Sequence, residues 1–207
     1  MTIVEYLSSL TLWNYIETLT LITNLIYVYL IARENVWGWP FGILGSALLA
    51  MYSWYSDLPF QTLLNLFYVA TGAWGWWQWK YGGEDDSALP IVFGGLKANI
   101  AIIVLSALIT WGLIWKLQTP DYTGYLMYLE IGCSVFAVPV TLMITRKWIE
   151  NWVYWVHIDI CTIILYLHQD SYQIAGLYGI YILMSIMGYY DWYKKMPSSK
   201  EQIQSPT

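Results

Sequence analysis

Long apolar stretches separated by short polar segments make up almost the whole chain. Seven of these stretches are long enough to cross about 30 Å of hydrocarbon as α-helices, which rise about 1.5 Å per residue. They lie at roughly 15–32, 37–56, 60–79, 91–115, 125–145, 148–168 and 172–190. Hydrophobic residues account for 58% of the chain and charged residues for 11%, a balance unlike that of a soluble domain. The pattern predicts an all-α integral membrane protein with seven transmembrane helices.

The second half of the chain repeats the first half at a shift of 113 residues. Under this shift ten positions between 15 and 79 are identical to their partners, and residues related by the shift are called repeat mates below. The charged, glycine and tryptophan mates fall at the same points relative to the apolar stretches, among them Arg33/Arg146, Trp39/Trp152, Gly75/Gly188 and Trp79/Trp192. This register indicates one unit of three helices used twice.

The fourth apolar stretch lies between the two units. A single linking helix returns the chain to its starting side of the membrane, so the repeats are expected to be parallel, in a 3+1+3 arrangement with a solute site between them. We expect an N-terminal segment and the first repeat over 1–81, a linker and the linking helix over 82–118, the second repeat over 119–195, and a flexible cytoplasmic tail over 196–207.

The basic residues are distributed unevenly between the two sides of the membrane. With seven spans, Lys116 falls on one side and the other eight Lys and Arg residues on the opposite side. Because such an excess marks the cytoplasmic side, the sequence predicts an outside N-terminus and a cytoplasmic C-terminus.

The most costly polar position is Asp159, which lies eleven residues into the sixth stretch, near the membrane midplane. Trp155 precedes it by one helical turn and Trp152 by about two turns, so the three side chains share one face of the helix. An acid beside aromatic rings suits a flat cation, through charge and cation–π attraction. The alternative is a protonated or hydrogen-bonded packing residue.

Polar side chains of the third and seventh stretches complete the candidate cavity. Gln61, Asn65 and Tyr68 recur at helical spacing on one face, and Tyr178 and Tyr181 are the repeat mates of the last two. We interpret these five as cavity walls, although tyrosine is also common packing material in membrane helices.

The first repeat lacks the aromatic and acidic pair of the second. The mates of Trp155 and Asp159 are Gly42 and Ser46, so one repeat is expected to grip a solute and the other to leave room for it. His157 points about 200° away from Asp159 around the helix, so a relay between the two is not expected.

The remaining motifs exclude several classes of function. The chain has no metal-ligand spacing, phosphate-binding glycine loop or nucleophile motif, so an enzyme, a metal and other cofactors are not expected, and no basic groove suggests nucleic acid. Cys133 and Cys161 are interpreted as unpaired small hydrophobes. Tryptophans at the ends of the stretches are expected to anchor the chain at the membrane interface: Trp37, Trp76, Trp77, Trp79, Trp115, Trp148 and Trp192.

Several segments resemble the PnuC family of bacterial vitamin transporters. They are RKWIENWVYWVHID from Arg146, WPFGILGSALLAMY from Trp39, and the repeat endings GWWQW and GYYDW. The most specific residues of the resemblance are Arg146, Lys147, Glu150, Asn151, Trp152, Trp155 and Asp159. Some relatives have Asn where this chain has Asp159, and Gln61 resembles a third-helix Gln common among them.

The resemblance implies a SWEET-like 3+1+3 fold in the bacterial cytoplasmic membrane. It implies nicotinamide riboside, a flat cation rich in hydroxyls, as the small-molecule substrate. It also implies uncoupled facilitated diffusion by alternating access, with a cytoplasmic kinase that traps the solute by phosphorylation. The alternatives are thiamine or riboflavin as cargo, proton coupling through Asp159, and a receptor or scaffold without transport. Membrane lipid is an expected partner, and the exposed aromatic faces allow a homo-oligomer.

Overall fold

The described part of the chain folds into seven long α-helices. The computed structural model describes residues 12–55, 59–119, 124–168, 170 and 172–196. Its helices are α1 (Leu12–Ala32), α2 (Gly38–Tyr55), α3 (Pro59–Tyr81), α4 (Leu96–Leu117), α5 (Tyr125–Thr145), α6 (Asn151–His168) and α7 (Tyr172–Lys195). The seven predicted stretches are confirmed, although α4 begins later than expected, after a 3₁₀ turn at Glu84–Asp86 and an extended segment. The predicted tail beyond Met196 lies outside the described residues.

The seven helices differ in how uniformly apolar they are. Among the described residues, α4 and α5 are long and apolar enough to cross a membrane by composition alone. The other five carry more glycine, tyrosine and polar residues, many of which face the cavity described below. Polar residues inside a membrane protein are expected to face a bundle interior or a wet cavity, and this composition fits such a position.

Six of the helices form a closed ring around a central space. Going round the ring, α1 packs on α2, α2 on α3, α3 on α5, α5 on α6, α6 on α7, and α7 back on α1. Helix α4 lies outside the ring and packs against α5. Because the shift of 113 residues converts the α3–α5 contact into the α7–α1 contact, the ring has a pseudo-two-fold axis. This is the predicted 3+1+3 fold, while the division of the chain at residues 81, 118 and 195 stays a prediction.

The segment before α4 is tied to the second repeat. The Val92 N–H donates to Lys147 O over 3.1 Å, and the Ile149 N–H donates to Val92 O over 3.0 Å. The Gly94 N–H donates to the Glu150 carboxylate over 3.0 Å. The loop between α5 and α6 therefore rests on an extended strap from the linker.

Four tryptophans, called the tryptophan layer below, meet at the end of the ring where α1 and α5 finish. They are Trp39, Trp79, Trp152 and Trp192, which form two pairs of repeat mates. Ring centroids are 5.4 Å apart for Trp39 and Trp79, 5.5 Å for Trp79 and Trp192, and 5.3 Å for Trp152 and Trp192. The edge-to-face angles are those that aromatic pairs prefer, so the layer is a packed aromatic core that joins the two repeats.

The prediction that Trp79 and Trp192 anchor the membrane interface is wrong. Their side chains are 2% and 0% exposed, and both indole N–H groups cross between the repeats. Trp79 Nε1–H donates to Ile144 O over 2.9 Å, and Trp192 Nε1–H donates to Ile31 O over 3.0 Å. A buried indole needs an acceptor, and a carbonyl in the last turn of a helix supplies one. Since Ile31 and Ile144 are also mates, this is one interaction made twice.

Two repeat-mate glycines let the layer pack closely. A Cβ on Gly75 would collide with the Trp39 ring, and a Cβ on Gly188 would lie 2.7 Å from Trp152. Only a residue without Cβ admits an indole at this distance. The Gly and Trp identities between the repeats are therefore explained by packing.

Candidate functional site

A cavity of about 320 Å³ lies among the six helices of the ring, and helix α4 contributes nothing to its lining. Trp39 and Trp152 of the tryptophan layer form part of the wall, so the layer lies at one end of the cavity. The volume falls within the range of roughly 300–1,000 Å³ that is usual for small-molecule sites.

The lining of the cavity follows the internal repeat. Sixteen of its twenty residues form eight pairs of mates, and every lining residue of the second repeat has its mate in the lining. The pairs are Val28/Thr141, Ile31/Ile144, Trp39/Trp152, Gly42/Trp155, Ser46/Asp159, Asn65/Tyr178, Tyr68/Tyr181 and Gly72/Ser185. The pseudo-two-fold axis therefore passes through the cavity, which is the expected place for a transporter site.

Seven of the eight predicted site residues line this one cavity. They are Asn65, Tyr68, Trp152, Trp155, Asp159, Tyr178 and Tyr181. Gln61 belongs to α3, but its side chain lies outside the described part of the structure. Their use in binding stays a prediction, whereas the convergence of the seven in one cavity is a structural fact. His157 is exposed away from the cavity, and its Nδ1 lies 2.7 Å from Val153 O.

Asp159 is the charged group of the described lining. It is 3% exposed, and it forms no hydrogen bond or ion pair with any described residue. Burying an ionised carboxylate without a partner costs several kcal/mol of free energy, even after the surroundings relax. A cationic ligand beside Asp159 would supply the missing partner.

Aromatic side chains of the second repeat surround Asp159. Tyr178 stacks on Tyr166, with ring centroids 5.7 Å apart and planes 20° from parallel, and meets Tyr181 edge-on at 5.6 Å. These contacts hold Tyr178 and Tyr181 in place at the wall. Trp155 is half-buried at the wall, one helical turn from Asp159. The second repeat therefore places the Asp159 carboxylate in the same part of the cavity wall as the rings of Trp155, Tyr178 and Tyr181.

Trp152 has a structural position at the edge of the site. It is 3% exposed and packs on Trp192 in the tryptophan layer. Its indole N–H is buried and has no partner among the described residues, and the same is true of its repeat mate Trp39. Trp152 therefore closes one end of the cavity, while Trp155 offers the open aromatic face.

Two lining residues of α1, Asn24 and Tyr27, were missed by the sequence reasoning. Their mates are Ala137 and Val140, which carry no polar group, so the repeat gave no signal for them. A Cβ on Gly42 would lie 2.7 Å from Tyr27 Cδ2. The expectation that Gly42 leaves room for a solute is therefore corrected, because the Tyr27 ring occupies that place.

The chemistry of the wall is divided between the repeats. The first repeat contributes amides and small hydroxyls, namely Asn24, Ser46, Asn65 and Thr71, together with Tyr27 and Tyr68. The second repeat contributes the carboxylate of Asp159, the half-buried Trp155 ring, the two tyrosines Tyr178 and Tyr181, and the hydroxyls of Thr141 and Ser185. Such a site can hold a ligand that has a cationic ring at one end and hydroxyl groups at the other.

A ring of two parallel three-helix repeats around a small-molecule cavity is an arrangement found among multi-pass membrane transporters. A family model described as "Nicotinamide mononucleotide transporter" matches residues 14–194 of the chain. The chain belongs to this family.

Individual relatives agree with the family assignment. The chain is 21% identical to the nicotinamide riboside transporter PnuC of Escherichia coli (strain K12), over 86% of this chain and 85% of that protein. It is 23% identical to the transporter of the same description in Haemophilus influenzae, over 88% and 84% of the two chains. The crystal structure of the vitamin B3 transporter PnuC is similar with a TM-score of 0.64 and 18% identity, over 87% of this chain and 81% of that one. At this identity the structural likeness supports the fold alone.

Proposed function

We propose that this chain carries nicotinamide riboside across the cytoplasmic membrane. The family and the descriptions of its relatives support a nicotinamide compound as the solute. Nicotinamide riboside joins a flat pyridinium cation to a ribose, and the divided wall of the cavity offers a complementary surface to each part.

The observation that carries the proposal is the unpaired carboxylate of Asp159 inside an aromatic cavity. A pyridinium ring against Trp155 would gain stacking and cation–π attraction, and its positive charge would partner Asp159. Binding the cation would therefore offset the cost of holding the carboxylate out of water.

The charge of the cavity favours the riboside over the mononucleotide of the family description. No Lys, Arg or His occurs among the described lining residues. A phosphate carries between one and two negative charges near neutral pH, and it would meet the Asp159 carboxylate with no cationic side chain in the described lining to compensate. The ribose hydroxyls suit the amides and hydroxyls of Asn24, Ser46 and Asn65.

As the transport mechanism we propose alternating access without coupling to an ion. The two repeats would rock about the pseudo-two-fold axis and open the cavity to one side of the membrane at a time. Facilitated diffusion equilibrates the solute, and a cytoplasmic kinase that phosphorylates it makes the import one-way. The excess of basic residues supports an orientation with the C-terminus in the cytoplasm.

Calorimetric titration of the purified protein in detergent tests the site. Nicotinamide riboside should bind in the micromolar range or tighter, and nicotinamide mononucleotide, thiamine and riboflavin should bind far more weakly. Trp155→Ala should weaken riboside binding about tenfold or more, since it removes the aromatic face. His157→Ala is the matched control, because it lies on the same helix outside the cavity and should bind like the wild type. Wild-type affinity in Trp155→Ala would contradict the site assignment.

Thiamine is the second candidate, because it is also a flat cation and Asp159 does not discriminate between the two rings. Binding of thiamine alone would keep the site and change the solute. Proton coupling through Asp159 is tested with proteoliposomes: coupled uptake should collapse when the pH gradient is dissipated, whereas facilitated diffusion should fill the vesicles to the same level with or without it.

A further inference from the structure

Glu34 and Lys147 are repeat mates that meet each other. Lys147 Nζ lies 2.8 Å from Glu34 Oε1, and 113 positions separate the two residues. Mates that touch must lie close to the pseudo-two-fold axis. Identical charged residues would repel each other there, so the opposite charges show that this pair depends on the divergence of the two repeats.

Both residues occupy a backbone position that ordinarily belongs to glycine. Their φ angles are 60° and 51°, in the left-handed region. Glu34 N–H donates to Ile31 O over 2.9 Å and Asn35 N–H donates to Leu30 O over 2.8 Å, the pattern of a Schellman motif after α1. The same two bonds recur around Lys147 after α5. Glycine would be less strained at both positions, so the presence of Glu34 and Lys147 there indicates that their side chains have a function.

The pair rests directly on the tryptophan layer. Lys147 is 3% exposed, and its Nζ lies 4.8 Å from the centre of the Trp79 ring. Burial lowers the pKa of Lys147, and the contact with Glu34 opposes that shift. The second carboxylate oxygen of Glu34 lies 3.3 Å from Lys195 Nζ, and Arg33 pairs with Asp191 at 2.9 Å. Each of these ion pairs joins the first repeat to the second.

We propose that Glu34 and Lys147 form a latch that holds the tryptophan layer shut and must part before a solute can leave the cavity at this end. The latch is the electrostatic part of the closure and the layer is its steric part. The inference rests on the proposed transport function, because a cavity that never opened at this end would need no latch. The charge excess predicts that this end faces the cytoplasm.

Two hydrogen-bond donors in the closed tryptophan layer have no acceptor among the described residues, which is expected of a gate that also has an open state. The indole N–H groups of Trp39 and Trp152 are buried without a partner in the described structure, and opening would expose them to water. An unpaired buried donor raises the free energy of the closed state. A charge pair that stabilises the closed state and unpaired donors that destabilise it are the balance expected of an element with two accessible states.

The two sides of the latch are held differently. The Lys147 loop is backed by the strap at Val92, which bonds to the backbone on both sides of Trp148. The Glu34 loop has no such strap among the described residues. When the latch opens, we therefore expect Lys147, the linker and the second repeat to remain together while Glu34 moves with the first repeat.

Accessibility of the cavity tests the latch. Ser46→Cys places a thiol in the cavity wall, in a chain whose native thiols are removed by Cys133→Ala and Cys161→Ala. Its rate of labelling by a membrane-impermeant thiol reagent is measured from each side of the membrane in oriented vesicles. Neutralising the pair by Glu34→Gln or Lys147→Gln should raise the rate from the latch side about tenfold, the size expected for one lost charge contact. The exchanged pair, Glu34→Lys with Lys147→Glu, should return the rate to near the wild-type level.

Two controls separate the latch from general damage. Lys97→Gln removes an exposed charge near the start of α4, away from the axis, and should leave labelling unchanged. Glu34→Gly removes the carboxylate and also relieves the backbone strain of the left-handed conformation. We therefore expect this variant to fold even if Glu34→Gln or Lys147→Gln does not. Unchanged labelling in Glu34→Gly and in a folded Lys147→Gln would overturn the latch, and so would an exchanged pair that labels as fast as the single variants.

The same preparations distinguish failure of the latch from failure of the proposed function. Riboside binding to the wild type is measured by calorimetry beside the labelling. Without riboside binding the proposed substrate fails, while a labelling rate that responds to Glu34 and Lys147 still supports a latch over the cavity. With riboside binding and an unresponsive labelling rate, the substrate stands and the latch fails.

Discussion

The two repeats are alike in the tryptophan layer and differ at the part of the cavity wall that carries the acid. Trp39, Trp79 and Gly75 recur as Trp152, Trp192 and Gly188, and they make the same packing contacts and hydrogen bonds. At the cavity wall, Gly42 and Ser46 stand where the second repeat has Trp155 and Asp159. Packing in the tryptophan layer must suit both repeats at once, which favours identical residues there, whereas the contact of Glu34 with Lys147 on the axis needs opposite charges. A single asymmetric ligand imposes no such condition on the wall.

The first way to sharpen the comparison is to remove one polar group from each wall. Asp159→Ala should weaken riboside binding about a hundredfold, because it removes the charge that partners the pyridinium. Ser46 is the repeat mate of Asp159, and Ser46→Ala should weaken riboside binding only about threefold. A single neutral hydroxyl contributes about 0.5–1.5 kcal/mol. Calorimetry on both variants gives the ratio. Equal losses would mean that the wall is functionally symmetric.

The glycines test the shared packing. Gly75→Ala and Gly188→Ala should each destabilise the protein by about 1–3 kcal/mol, because the added methyl meets an indole ring. Thermal unfolding in detergent measures the loss. Gly112→Ala is the matched control, since a Cβ added to Gly112 in α4 would meet no atom within 4 Å, and a small gain in stability is expected there. A melting temperature unchanged by Gly75→Ala would show that the layer is loosely packed.

The crossing hydrogen bonds test the symmetry of the layer directly. Trp79→Phe and Trp192→Phe should each cost about 1–2 kcal/mol, from one lost hydrogen bond and a smaller ring. The carbonyls of Ile144 and Ile31 also accept a backbone N–H, from Lys147 and Glu34, so neither is left without a donor. The two melting temperatures should fall by similar amounts. A large difference would mean that one repeat dominates the interface.

The smallest effect on riboside binding is expected at Tyr27, whose ring occupies the space beside Gly42. Tyr27→Phe keeps the ring that covers Gly42 and removes only the hydroxyl. Riboside binding should weaken by about threefold or less, within the worth of one hydrogen bond. A loss comparable to that of Asp159→Ala in the same titration would show that the first repeat also provides a dominant contact.

The sequence predicted much of the candidate site because its residues are periodic or repeated. Trp155 and Asp159 share a helix face, and Asn65, Tyr68, Tyr178 and Tyr181 are linked by helical spacing and by the shift of 113 residues. Asn24 and Tyr27 obey neither rule, since their mates Ala137 and Val140 are apolar. Their place in the wall follows from how α1 packs against α2, which no local pattern records.

The sequence by itself determined the seven membrane spans, the doubled architecture and the residues most costly to bury, because hydrophobic length, identity at a fixed shift and an intramembrane charge can all be read along the chain. The tertiary structure alone decided that Trp79 and Trp192 are buried between the repeats and do not anchor the membrane interface. It also decided that Tyr27 fills the gap at Gly42 and that Glu34 meets Lys147. These contacts join residues on different helices, and their energy depends on distances that are set only when the two repeats close around the axis.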